Sequence, residues 1–375
     1  MKILIVSHYF SPHVGGIEIV AQNQASQLVK KGNEVSILTS AIGLPTGLTK
    51  HKNNFKIQAV RASNIFEAKM GVPFPIFSPA IITKTYQLVK ACDVVHIHDA
   101  FYISSFWASF WAKILKKPVV LTQHVAMIPH PNKIVTLVQS IVYKTTGKFI
   151  FKQSSFIILF NSSVKDFLTR LKIDSKKIVM LPNGTDLKLF WPANKTEKNK
   201  IKKVYSLPTD RVLALFVGRF VPKKGFHKVL ASLDANYTIV MVGGEPPIKY
   251  KKDSRVFFIP YLNQEALAEI YRACDIFVLP SEAEGFPLSI QEAMASGLPI
   301  VTSDNEGYTL HNFDRTLFKF INPTIKEIKK SLNILTNDLL LRDAMSKYSA
   351  EYARLNFSWE NNIEKILSLY KEALS

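Results

Sequence analysis

Glu284 and Glu292 stand in one stretch, PSEAEGFPLSIQEAMASGLPIV, which covers residues 280–301. The apolar run before it, 275–279, reads as a buried strand ending at Pro280. Residues 281–285 are polar and read as a loop. Pro287 suits the first turn of a helix, and Leu288, Ile290, Ala293, Met294 and Ala295 supply that helix's apolar positions. Gly297 ends it, and another apolar strand starts at Pro299. Glu284 thus falls in the loop and Glu292 about one turn into the helix. That is the carboxyl edge of a parallel sheet, where open α/β sheets hold their ligands. Free N–H groups at a helix start attract phosphate. Acidic residues also favour helix starts on their own account, so either glutamate alone would be weak evidence.

Arg219 and Lys224 flank a second strand-to-helix turn, GRFVPKKG, at 218–225. Two cations at a helix start can hold an anion, and stabilise charge developing on it, without a metal. His124 follows Leu-Thr-Gln at the end of an expected strand, 118–122. The loop 7–16 holds His8, His13 and the adjacent Gly15 and Gly16 ahead of an expected helix, 17–31. Paired glycines let a ligand approach the backbone closely. Their spacing is not G-x-G-x-x-G, so no dinucleotide fingerprint is present. His96 and His98 are read as diverging on the strand at 93–97. With no third ligand or cysteine cluster nearby, metal binding is rejected.

The whole pattern E-G-F-P-L-x-x-x-E-A-M-A-x-G-x-P-I-V resembles the nucleotide-sugar motif of the family-4 glycosyltransferases. G-R-x-x-x-x-K-G resembles the same family's diphosphate loop, and the likeness extends to the terminal Phe-Ser-Trp and its helix. The resemblance implies an α/β fold of the GT-B type: two Rossmann-like domains facing each other across a cleft, with the C-terminal helix crossing back to the first. Residues 1–190 with 358–375 would form the acceptor domain, and 191–357 the donor domain. Arg219 and Lys224 would contact the donor diphosphate, Glu292 the ribose, and Glu284 the transferred sugar. His124 would lie near that sugar, and Gly15 and Gly16 near the phosphates. Gly285, Phe286, Pro287 and Leu288 would complete the donor site.

The implied reaction is retaining transfer of a hexosyl-type sugar from a nucleotide-diphosphate sugar to a glycan or lipid-linked acceptor. Attack and departure share one face, the diphosphate assists as base, and no metal or other cofactor is required. Cell-envelope polysaccharide or glycolipid synthesis is the implied setting. The absence of any Asp-x-Asp removes the usual metal handle of the other major glycosyltransferase fold. One departure stands out: after Pro-Ile-Val the family has Gly-Gly-x-x-Glu, whereas residues 302–308 here read TSDNEGY. A nucleotide-sugar epimerase or a non-catalytic GT-B homologue is the alternative within the fold, and the intact Arg219, Lys224, Glu284 and Glu292 argue against degeneracy.

The elements that must position these residues recur in two halves. LVKACDVVHIH around Cys92 and IYRACDIFVLP around Cys274 are both a helix end, Ala-Cys-Asp and an apolar strand. Two similar α/β units explain this better than one large sheet, and 375 residues suffice for both. Residues 64–79, rich in Phe and Pro, read as a loop on the acceptor side. The Lys-rich segment after 186, up to 206, reads as a linker. Two cysteines exclude a disulfide framework. No apolar run reaches bilayer length and the start lacks a cleavage site, so a cytoplasmic protein is expected.

The net charge of +19 implies an anionic partner: a nucleotide, a membrane surface or nucleic acid. No recognised nucleic-acid-binding motif is present, and the aromatics sit in apolar helices. On the expected helix 134–152, Leu137, Val138, Ile141 and Val142 precede Lys144, Lys148 and Lys152. The aromatic helix 101–117 ends in Lys113, Lys116 and Lys117. Such a basic, apolar surface suits peripheral attachment to the anionic inner face of the cell membrane. The alternative is that the apolar residues are core and the lysines solvated.

Overall fold

A computed structural model of the chain describes every residue except 14, 128–131, 251–252, 283–285 and 309–310, with the backbone alone at 70 and 306. The chain divides into two compact units, Met1–Asn183 with Trp359–Ser375, and Gly184–Ser358. The sequence pattern predicts the boundary at 190/191.

The first unit is built on an eight-stranded sheet. It begins with β1 (Lys2–Val6), β2 (Glu34–Ser40), β3 (Gly47–Lys50) and β4 (Lys56–Val60). After a small ladder of β5 (Ala62–Ser63) with β6 (Ile76–Phe77), it continues with β7 (Val94–His98), β8 (Val119–Thr122), β9 (Phe156–Leu159) and β10 (Ile178–Met180). The order across the sheet is β10-β9-β8-β7-β1-β2-β4-β3, parallel except for β3. Its helices are α1 (Gly16–Lys30), α2 (Ile65–Met70), α3 (Ala80–Ala91), α4 (Ile103–Ile114), α5 (Lys133–Val142), α6 (Lys148–Gln153) and α7 (Ser162–Arg170).

The second unit opens with α8 (Lys195–Val204). It carries β11 (Val212–Val217), α9 (Phe226–Ala231), β12 (Tyr237–Val242), β13 (Val256–Ile259), α10 (Gln264–Ala273) and β14 (Ile276–Leu279). Next come α11 (Leu288–Ala295), β15 (Ile300–Ser303), β16 (Lys319–Ile321), α12 (Ile325–Asn337) and α13 (Leu339–Asn356). Its six strands are all parallel, in the order β13-β12-β11-β14-β15-β16. Parallel strands are covered on both faces, which is why β11 (VLALFV) and β14 (IFVL) are continuous apolar runs. The last helix, α14 (Trp359–Leu374), packs in the first unit. There the Tyr370 hydroxyl donates to His96 Nδ1 at 2.7 Å.

Three sequence expectations need correction here. Residues 64–79 are not loop throughout, since they contain α2 and β6. The expected linker contains α8, capped by Asn194 and held by Lys198 and Lys202 on either oxygen of Asp275, at 3.0 and 3.2 Å. Its lysines disguised a helix that is anchored by ion pairs more than by an apolar face. Edge strands β3 and β16 were not foreseen, being too short to show a period.

Strand order fixes where ligands can enter. In the first unit the chain leaves β1 toward β2 but leaves β7 toward β8, so the loops after β1 and β7 part in opposite directions. In the second unit the loops after β11 and β14 do the same. Such switch points open crevices at the carboxyl edge of a sheet. The helices that begin there, α1, α4, α9 and α11, have no side-chain cap among the described residues. By contrast α7, α10 and α12, after β9, β13 and β16, are capped by Asn161, Asn263 and Thr324. At the switch points, therefore, first-turn N–H groups are left without a side-chain acceptor.

Candidate active site

At the second unit's switch point, the turn after β11 carries exposed Arg219 and half-buried Lys224. It is pressed against the end of β14. Gly225 has φ +74°, and a Cβ there would lie 2.4 Å from the Pro280 carbonyl oxygen. Only glycine fits both that backbone and that contact. The Glu282 N–H donates to the Lys223 carbonyl at 2.9 Å, and Lys228 pairs with Glu282 at 2.6 Å. Gly243, at the end of β12, has φ +113° and leaves no room for a Cβ, which would lie 2.7 Å from Gly218 O. The two motifs the sequence singled out are thus locked edge to edge.

Glu284 and Gly285 lie outside the described residues. Pro287 is the N-cap of α11, one position before the first helical residue, Leu288. Phe286 points its ring into the core and leaves its backbone toward the loop. Its ring is buried among His311, Tyr308 and Phe357, with centroids 4.1, 5.9 and 5.2 Å away, because the apolar core behind α11 needs an aromatic filler there. The variant loop after β15 is tied to the same edge. Thr302 Oγ1 donates to Leu279 O at 2.8 Å, and the Ser303 hydroxyl donates to Ser281 O.

Glu292 sits in the second turn of α11, buried, with its Oε2 accepting from the Tyr271 hydroxyl at 3.0 Å. Burial pushes the carboxyl up to about 7, and the Tyr271 bond opposes that rise. Tyr271 escaped the sequence reading because a tyrosine in the last turn of an amphipathic helix looks like core.

The first unit's switch point is a different environment. The β1 loop brings His8 to stack on Tyr102, with ring centroids 3.6 Å apart. His98 ends β7 and His124 follows β8, with His98 Nδ1 and His124 Nε2 2.9 Å apart. Asp99, at φ +63°, turns its Oδ1 onto the His124 N–H at 2.9 Å. All four are buried. Burial holds His8 and His124 well below the usual imidazole range, takes His98 down to about 3, and lifts Asp99 to about 7.

His98 Nε2 is buried without a partner among the described residues. A bare lone pair is tolerated there better than an unpaired N–H. The bonding pattern therefore assigns the proton of His98 to Nδ1, which donates to His124 Nε2 and leaves the His124 proton on Nδ1.

His96 and His98 do not diverge as the sequence reading had them. Residues two apart on a strand share a face, and their ring centroids are 5.0 Å apart. Each is nevertheless engaged elsewhere: His96 with Thr122 and Tyr370, His98 with His124. Among the described residues no group of three or more His, Cys, Asp or Glu is arranged to hold a metal ion.

Gly15 caps α1, but a Cβ there would meet Glu18 Oε2 at 2.3 Å, so a carboxylate already fills that approach. Gly16, the first residue of α1, is exposed. Glu18 bonds His13 Nδ1 at 2.8 Å, and Glu67 of α2 takes His13 Nε2 at 3.1 Å. The bond to Glu18 raises the His13 pKa. Neither glutamate was singled out in the sequence. Glu18 lay inside the Gly-Gly loop's helix, and Glu67 inside a segment read as loop.

The basic apolar surface is redistributed. The rings of α4 are half-buried against neighbouring helices, and the Trp111 indole donates to Ile82 O at 3.0 Å. It is α5 that stands clear, with no buried residue. A π turn at Tyr143–Gly147 joins it to α6 in one continuous helical run, as the sequence predicts, and the bulge shifts the angular spacing of Lys144 from Lys148 and Lys152. No helix among the described residues is long and apolar enough to cross a membrane.

Residues 14–189 match the model described as Glycosyltransferase Family 4, and 197–352 that of Glycosyl transferases group 1. The UDP-Gal:alpha-D-GlcNAc-diphosphoundecaprenol alpha-1,3-galactosyltransferase of Escherichia coli is 30% identical, over 76% of this chain and 77% of its own. Among solved structures, sucrose-phosphate synthase from Thermosynechococcus elongatus superposes with a TM-score of 0.79 at 20% identity, covering 99% of this chain and 98% of that one. Anabaena HepE in complex with UDP superposes with a TM-score of 0.78 at 16% identity, covering 99% and 100%. The chain belongs to glycosyltransferase family 4: it is a glycosyltransferase of GT-B fold.

Proposed function

We propose that the enzyme is a retaining, metal-independent glycosyltransferase that moves a sugar from a nucleoside-diphosphate donor to a lipid-linked glycan at an anionic membrane face. One observation supports it most: the Gly225–Pro280 contact, which presses the cation-bearing turn against the end of β14, the strand that leads into α11 and Glu292. Arg219 and Lys224 hold the diphosphate and stabilise its charge as it leaves. Glu292 meets the ribose, and Glu284 with Gly285, Pro287, Leu288 and the backbone of Phe286 surrounds the transferred sugar. Within the first unit, His124 and the backbone of Gly16 are the candidate groups for sugar and phosphate contact. The sugar's acceptor attacks on the face from which the diphosphate departs, and the diphosphate takes the acceptor proton.

The membrane part of the reading is supported by α5. Ile134, Leu137, Val138 and Ile141 are 71, 60, 51 and 53% exposed and recur at helical spacing on one side. Exposed Lys133 and Lys144 flank them. An apolar stripe between cations matches an anionic interface. The acceptor class is suggested by the relative whose name specifies a diphosphoundecaprenol substrate.

The test is incubation with UDP-, GDP- and ADP-sugars and a polyprenyl-diphosphate-linked sugar, in EDTA and in added magnesium. The expected result is a lengthened lipid-linked product with the donor's anomeric configuration, formed equally in EDTA. An inverted product would overturn retention, and loss of activity in EDTA would overturn metal independence. Epimerised donor with no acceptor product would overturn the transfer itself.

A further inference from the structure

The contact of interest lies where α10 meets α11. Tyr271, in the last turn of α10, is fully buried, its ring edge-on to Phe190 at 5.6 Å and tilted on Phe277 at 5.9 Å. Its hydroxyl has one proton and faces two acceptors, Glu292 Oε2 at 3.0 Å and the Ser289 carbonyl at 3.2 Å. No other hydrogen bond to the Glu292 carboxylate is found among the described residues. One oxygen of this carboxylate is therefore pinned and the other is left for a ligand.

We propose that Tyr271 is a positioning residue for the donor: by holding one carboxylate oxygen of Glu292 it fixes the rotamer that presents the other to a ribose hydroxyl. This rests on the reading that Glu292 meets the ribose.

A buried carboxylate with a single remaining lone-pair edge accepts best when ionised, and a hydrogen bond donated to the charged form favours that form. The surroundings leave this role to Tyr271. From α10 come Tyr271 and, behind it, the Cys274 thiol. From β14 comes the Phe277 ring. Among the described residues, including α13 packed along α11, no charged group acts on Glu292. When Glu292 is ionised, Tyr271 donates to it. When Glu292 takes a proton, Tyr271 turns to the Ser289 carbonyl and the carboxyl loses its anchor. Donor affinity should therefore fall as pH drops through about 7.

Tyr271→Phe keeps the ring and its packing and removes only the hydroxyl. Two quantities are measured in the native protein, Tyr271→Phe and Glu292→Gln. One is the titration midpoint of Glu292, from carbon-13 labelled glutamate, with Glu292→Gln assigning the signal. The other is UDP affinity by calorimetry at pH 6.5, 7.5 and 8.5. In Tyr271→Phe the midpoint should rise by about one pH unit. The variant should bind UDP about tenfold more weakly than the native protein at pH 6.5 and within about threefold at pH 8.5. Comparing variant with native protein at each pH cancels the titration of UDP itself. A purely structural loss would weaken binding alike at every pH and would overturn the proposal. So would an unmoved midpoint with native affinity, while a Glu292→Gln defect in the same experiment would leave the ribose reading intact. A raised midpoint with UDP affinity untouched in both variants would instead remove Glu292 from the donor site and the proposal with it.

Discussion

At the first unit's switch point, His8, His98, Asp99 and His124 are buried together, and the histidines are held neutral. At the second unit's switch point, Arg219 is exposed and Lys224 half-buried on a turn that glycines press against the neighbouring strand end. Both crevices come from the same topology, a parallel sheet whose chain reverses direction of travel once. What differs is which groups were desolvated. The second edge keeps cations, and on the proposed reading they meet the leaving diphosphate. The first keeps His8, His98 and His124 neutral around buried Asp99, with His13, on the loop before α1, paired to Glu18. One architecture thus carries an exposed cationic turn at one edge and a buried histidine cluster at the other.

The sharpest way to break this comparison is to remove charge from the second edge. Arg219→Ala and Lys224→Ala should each lower kcat by roughly 100-fold, since one such donor to a developing anion is worth about 2–4 kcal/mol. Thermal midpoints should stay near the native value, because Arg219 is exposed and Lys224 lies on a surface turn. Steady-state kinetics with the preferred donor decides it. Near-normal turnover in both variants would make the turn a structural corner.

Much of this second edge was legible in sequence because its signals are local. A strand, a turn and a helix start lie consecutively, so Arg219, Lys224 and Glu292 fell where the pattern put them. The first edge was legible only in part. His124 was found, but its partners come from other strands: His98 and Asp99 from the end of β7, His8 from the end of β1. No spacing rule joins residues that meet only once the sheet is ordered. The miscounted face of His96 and His98 hid the same cluster. Tyr271 and α8 were missed for another reason. Composition stood in for environment, and a buried hydroxyl or a lysine on an ion pair looks like core or linker until its partner is seen.

The second prediction turns on protons. His8, His96, His98 and His124 are buried with lowered pKa, so below about pH 6.5 the unfolded chain takes up protons that the native first unit does not. Each costs roughly 1 kcal/mol per pH unit below that point. Asp99, raised to about 7, and His13, raised by Glu18, run the other way, because the native state holds their protons more tightly. From pH 7.5 to 5.5 the first unit should lose stability on balance, because four buried neutral histidines outweigh Asp99 and His13. In the second unit Glu292, raised to about 7, makes the native state the better proton binder over the same window, so acidification should stabilise it slightly. Hydrogen-exchange protection, corrected for intrinsic rates, should therefore fall in β1, β7 and β8 and hold in β11 and β14. Equal loss in both units would show that the histidines are not the difference.

A third, smaller effect concerns the exposed apolar stripe of α5 in the first unit. Leu137→Asp combined with Ile141→Asp changes two exposed residues of α5 and should leave the fold intact. Partition to anionic liposomes should fall about tenfold, while neutral liposomes bind weakly before and after. Native partition that is indifferent to lipid charge or to this double substitution would return α5 to the ordinary solvated surface.

The smallest expected effect tests how the neutral edge is kept in order. If His98 donates from Nδ1 to His124 Nε2, then His124 holds its own proton on Nδ1 and presents an N–H on the side away from His98. His98→Asn places an amide N–H close to the same position and should keep kcat within about threefold. His98→Phe fills the space without a donor, frees His124 to change tautomer, and should lower kcat about fivefold more than the Asn variant, on the scale of one neutral hydrogen bond. Packing alone would rank the two substitutions the other way, since Phe preserves more apolar contact than Asn. Long-range proton–nitrogen spectra of the imidazoles supply a direct readout. Native His124 should show a protonated Nδ1, the Asn variant the same, and the Phe variant a mixture. A native His124 protonated on Nε2 would reverse the direction of the His98–His124 bond, and His98 would then be an acceptor with a buried, unpaired N–H of its own.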